Sequence, residues 1–148
     1  GHREARPRRV TPAEPRRVAE PRPLPGAILG YWYATLVGLM WGSLLSTGRI
    51  ERHGKLFVFR GLPKWAFGRG GNCVGACYLT DQNVTPDVLE HEEVHRLQWR
   101  RYGMAMPILY WFAGRDPLKN RFEIEAGLEK GGYVRRALNQ SSSADLLA

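Results

Sequence analysis

The stretch TPDVLEHEEVHRLQWRRYG, residues 85–103, decides how the rest of the chain is read. Thr85 is a strong helix N-cap, Pro86 suits the first helical position, and Asp87 complements the positive end of the helix dipole. Gly103 is a natural stop. The segment is therefore predicted as a helix over residues 86–102. Inside it lies His91-Glu92-Glu93-Val94-His95, an H-E-x-x-H. Residues four apart share a helix face, so the two imidazoles can grip one Zn²⁺ at about 2.0–2.1 Å each. Glu92 sits one position round from His91, beside such an ion rather than on it. From there it can take a proton from water and pass it to a leaving group.

A catalytic zinc takes three protein ligands and keeps one position open. No His follows His95, so an H-E-x-x-H-x-x-G-x-x-H site is excluded and a carboxylate must complete the set. Asp116 and Pro117 read as the N-cap and first position of a second helix, stopped by Gly131-Gly132. That helix carries Glu123, Glu125 and Glu129. HEEVH followed downstream by NRFEIEA resembles the gluzincin metallopeptidases, and looks closest to small single-domain zincins. In those families the second helix often carries Glu-x-x-Ala-Asp, with its first Glu on zinc. The resemblance covers residues 86–130 and implies Glu123 as the third ligand. Ala126 matches the Ala, and Gly127 stands where the Asp would be. That Asp usually supports a ligand His, so the resemblance implies support from elsewhere in this chain.

Helical periodicity points to a competitor. Glu125 shares a stripe with Leu118, Phe122 and Leu128, whereas Glu123 falls with Lys119, Asn120 and Lys130. The ligand set is taken as His91, His95 and Glu123, with Glu125 as the alternative to Glu123. Gln98, one turn beyond His95, is a candidate to steady it. Tyr102, Tyr110 and Tyr133 are candidate donors to a tetrahedral oxyanion. Arg96, Arg100 and Arg101 form either a solvated basic face or one that steers an acidic substrate.

Working outward, 148 residues suit one domain, and 43% hydrophobic residues suffice for a core. Two Cys exclude a disulfide-rich scaffold. The net charge is +8, and residues 1–22, with seven Arg and three Glu, hold half of it. Six Pro also fall in the first 25 residues, so residues 1–25 read as an extended or disordered arm. It is either a solvated linker or an electrostatic tether to phosphate on lipid or nucleic acid.

No charged residue or His lies between Arg22 and Arg49. Residues 26–48 are read as an apolar helix that is buried, lies in a membrane interface or spans a membrane. A cleaved signal peptide fits less well. Residues 49–138 form the zincin-like metal-binding domain. Within it KLFVFRGLP, 55–63, and NCVGACYLT, 72–80, read as two strands able to pair antiparallel. Cys73 and Cys77 on one strand would lie about 13 Å apart, too far for a disulfide. MAMPILYWFAG, 104–114, reads as a short buried or membrane-facing helix. Residues 139–148 read as a flexible tail.

The expected fold is α+β, a mainly helical minimal zincin domain with a small strand pair. Its core is small, so a bound metal should add to stability. The expected function is that of a zinc-dependent metallopeptidase acting on a peptide or protein substrate. The competing class is a non-catalytic metal-binding scaffold attached to a membrane through residues 1–48. Specific nucleic-acid binding ranks last, because no zinc-finger or RNA-binding signature is present.

Overall fold

The computed structural model describes residues 19–145. Among them the fold is mainly helical α+β, as the sequence reading expected. Helix α1 spans Ala27–Leu45. Strands β1 (Glu51–His53), β2 (Leu56–Phe59), β3 (Asn72–Val74) and β4 (Cys77–Leu79) follow. Then come helices α2 (Pro86–Tyr102), α3 (Ala105–Phe112), α4 (Arg121–Ala126) and α5 (Tyr133–Asp145).

The strand pair is a correction in detail. Each expected strand belongs to a hairpin or its extension, so the sheet has four strands in the order β1-β2-β4-β3. Both hairpins close with two residues, Gly54-Lys55 and Gly75-Ala76. In each the first is a Gly with positive φ, 61° at Gly54 and 59° at Gly75. A two-residue loop of this kind matches the twist of the strands it joins. The two expected strands therefore meet in parallel, Phe57 opposite Cys77 and Phe59 opposite Leu79, not antiparallel. Cys73 and Cys77 are not on one strand. They flank the Gly75 turn on β3 and β4, and both are free thiols. Burial pushes both thiols up, Cys77 to about 12, so neither is a ready nucleophile.

α1 packs one face on α2, β3 and β4. The contact is close because small residues recur every fourth position, at Gly30, Ala34, Gly38 and Gly42. A Cβ on Gly42 would lie 2.5 Å from the Phe59 ring, and one on Gly38 would lie 2.8 Å from Cys77 Cβ. Thr35 stitches the layers. Its hydroxyl donates to Tyr31 O at 2.8 Å and accepts from the Ala76 N–H in the hairpin turn at 3.0 Å.

Of the arm read over 1–25, residues 1–18 lie outside the described residues. The rest, 19–25, is tied down rather than loose. Leu24 N–H donates to Arg101 O at 2.9 Å, and Arg100 donates to Pro21 O at 3.2 Å. The Glu20 carboxylate meets Lys55 Nζ at 2.5 Å.

The basic face of α2 is also corrected. Arg96 is 2% exposed. It holds both Glu93 oxygens, at 2.7 and 2.6 Å, and donates to the Tyr31 hydroxyl at 3.2 Å. A guanidinium so enclosed ties α2 to α1 and steers nothing. At the chain's end, α5 carries helix through residues read as a flexible tail, as far as Asp145. Residues 146–148 lie outside the described residues.

Candidate metal centre

α2 forms where its capping residues predicted. Thr85 Oγ1 accepts from Val88 N–H at 3.3 Å, and Gly103, at φ 57°, closes the C-terminus. The inward face of α2 brings His91, Glu92, His95, Gln98 and Trp99 into the interior. The second helix differs from expectation. Asp116 caps only a single turn, accepting from Leu118 N–H at 3.0 Å. α4 starts afresh with Asn120 as N-cap. Asn120 is fully buried; its Oδ1 accepts from Phe122 N–H at 3.0 Å. Its Nδ2 donates to Tyr110 O at 3.2 Å and Gly114 O at 2.9 Å. These long-range bonds set the helix start. α4 ends at Gly127, well short of Gly131-Gly132.

That shorter helix decides between the two carboxylates. Leu118 and Leu128 lie outside it, so the stripe favouring Glu125 dissolves. Glu125 is exposed, whereas Glu123 is 3% exposed. Glu123 Oε2 lies 3.1 Å from His91 Nε2 and 3.2 Å from His95 Nε2. The two Nε2 atoms are 3.1 Å apart. His91, His95 and Glu123 thus form a buried group able to hold a metal ion.

The hydrogen bonds behind the three atoms test that fit. His91 Nδ1 lies 2.9 Å from the Gly127 carbonyl, which can only accept, so Nδ1 carries the proton. His95 Nδ1 lies 2.8 Å from Gln98 Oε1. The Gln98 amide is oriented by its NH₂ donating to Phe122 O at 3.0 Å. His95 therefore also carries its proton on Nδ1. Both Nε2 lone pairs then face the carboxylate oxygen of Glu123. Two imidazole nitrogens and a carboxylate oxygen so converged in the interior are a donor set that could hold a metal ion.

Gly127 holds the place where a side-chain Asp was the expected support. At φ 99° it ends α4 and turns its own carbonyl to His91. The main chain supplies what the missing Asp would have supplied. Gln98 supports His95, as anticipated.

Tyr110 has a different role from the one considered. Its hydroxyl donates to Glu123 Oε1, fixing the ligand carboxylate from behind. Burial works to raise the Glu123 pKa. The facing His91 and His95 rings and the hydrogen bond from Tyr110 outweigh it and hold the carboxyl far below the usual range. Tyr102 lies away from the site, stacking edge-on to Phe122. Tyr133 remains at the site, with its ring 6.0 Å from His91. Burial pushes its hydroxyl up to about 12, with Glu123 adding to the shift, so it stays a donor at neutral pH.

A cavity of about 390 Å³ opens beside the triad. Glu92, His95 and Glu123 reach it, as does Tyr133. Cys73 and Val74 of β3 form part of its wall, and Met106 and Trp111 of α3 another part. Glu92 is 7% exposed, and burial pushes its carboxyl up to about 7, with Glu123 adding and the imidazoles opposing. Arg69 and Arg115 lie at the rim, where Arg69 donates to the Arg115 carbonyl. Sequence reading did not single out Arg69, Asn120 or the Gly127 carbonyl. The only local trace of any of them is a Gly in the Asp position.

No family model, curated protein or solved structure matches this chain. What the site can do follows from its own chemistry. The Glu123 assignment makes a clean prediction. Metal content after loading with zinc and gel filtration should stay near one per chain in Glu125→Ala and fall well below that in Glu123→Ala. Equal content in wild type and both variants would rule out the three-ligand set.

Proposed function

We propose that this protein is a zinc-dependent hydrolase of the metallopeptidase type, related in its site to the gluzincins. The observation that carries this reading is the convergence of His91 Nε2, His95 Nε2 and Glu123 Oε2 on one point, at the wall of a cavity that Glu92 also reaches. A zinc ion there would act as a Lewis acid toward a carbonyl oxygen and toward water.

The protein's own residues would do the rest. The Glu92 carboxylate takes a proton from water as the water oxygen bonds to the carbonyl carbon. It then gives that proton to the departing amine as the C–N bond breaks. Tyr133, whose hydroxyl oxygen is paired with the Arg69 guanidinium, keeps its own O–H at the cavity, suited to the oxygen on which charge develops. Tyr110 is committed to Glu123. Gly127, Gln98 and Tyr110 keep the three ligand atoms aimed while this happens. The apolar wall from Trp99, Met106 and Trp111 suits a hydrophobic side chain of a peptide.

The test is hydrolysis of an unstructured protein such as casein, read by amine release. Activity should vanish with 1,10-phenanthroline and return with added Zn²⁺. Retained zinc with no hydrolysis of any peptide or protein would favour the scaffolding alternative instead.

A further inference from the structure

We propose that the outward face of α1 rests on an anionic lipid bilayer, the helix lying in the interfacial plane rather than crossing it. This stands independently of the metal centre.

α1 is apolar on both sides. One side is buried against the domain, as described above. The other carries Leu29, Trp32, Leu36, Met40 and Leu44, which are 58–78% exposed. Their spacing of three and four residues places them on one stripe. At 1.5 Å per residue that helix is about 28 Å long. The patch extends off the helix near its C-terminal end, where Trp41 of α1 stacks edge-on with Trp65, itself 71% exposed, at 6.1 Å between ring centroids. A continuous apolar strip of this length is costly to leave in water.

Charge identifies what covers it. The strip has no charged residue of its own and is bracketed by Arg22 and Arg49, with six further Arg before Arg22. Each chain carries +8, so two copies meeting here would bring like charges together. An anionic bilayer accepts both the apolar strip and the Arg, each basic residue near its surface adding roughly fivefold to affinity. Trp32, Trp41 and Trp65 are of the type favoured at the membrane–water boundary.

The inner face settles lying over crossing. Lipid cannot surround a helix whose Gly38 and Gly42 leave no room for a Cβ against Cys77 and Phe59. To cross, α1 would also have to draw the charges of α2 into hydrocarbon.

The experiment is co-sedimentation of the full chain with sucrose-loaded vesicles of phosphatidylcholine, alone or with a minority of phosphatidylglycerol. Wild type should partition onto the anionic vesicles and at least about tenfold less onto the neutral ones. Leu36→Asp/Met40→Asp should lose at least about tenfold on anionic vesicles while keeping the wild-type circular dichroism melt. Leu29→Asp/Leu44→Asp reads the same face a second way. Leu138→Asp, on the equally exposed surface of α5 (62%), should bind as wild type. Three results would overturn the proposal: no partition onto either vesicle, equal partition of wild type and both double variants, or a lipid-free dimer that the double variants dissolve.

Discussion

Glu92→Gln should bind zinc as wild type does and lose hydrolysis by ~10²–10⁴-fold or more. The substitution keeps the shape of the side chain. It touches none of the three atoms that meet at the metal position, since those belong to His91, His95 and Glu123. What it removes is the carboxylate able to accept a proton at the cavity wall. The wild-type rate should fall as the pH drops through the Glu92 pKa, because only the ionised carboxylate takes a proton. Burial raises that pKa, which moves the acid limb toward neutrality. In Glu92→Gln this limb should be gone from whatever residual rate remains. Wild-type turnover in a variant with full zinc content would remove Glu92 from the mechanism.

The second large effect is on stability. The buried triad sets the Glu123 carboxylate and two imidazole nitrogens within about 3 Å of one another, a site that exists only in the folded chain. An ion that binds only the folded chain stabilises it by about 4 kcal/mol at a free concentration 1,000 times its Kd. For a domain of this size that corresponds to roughly 15 °C in Tm. Differential scanning calorimetry of chelated and zinc-loaded protein should show that gap. His95→Ala should melt at one temperature with or without zinc. A wild-type melt that ignores zinc would mean that the group does not hold the ion.

The parts of the fold legible in the sequence are those whose determinants are local. Thr85, Pro86 and Gly103 mark both ends of α2 because caps act within a turn of themselves. The apolar run 27–45 marks α1 for the same reason. The second helix was misplaced because its start depends on Asn120 reaching back to Tyr110 and Gly114, bonds no window of sequence displays. That error also created the false stripe for Glu125. The sheet was undercounted at Gly75. This residue was read as sitting within a strand, when its positive φ folds the strand back on itself and brings β4 beside β2. Arg96 looked like surface because charge is a poor guide to burial when a half-buried Glu93 and the buried Tyr31 hydroxyl supply its partners.

The bond from the Gly127 carbonyl to His91 has a further implication. Its acceptor belongs to the peptide backbone, so no side-chain replacement at position 127 deletes it. An alanine scan would register only the penalty of holding a Cβ at φ 99°, a fault in chain geometry rather than a lost contact. Pattern searches that demand an acidic residue at this spacing would pass over such a chain for the same reason. Sites of this kind are better sought by asking where a helix ends than by asking which letter ends it.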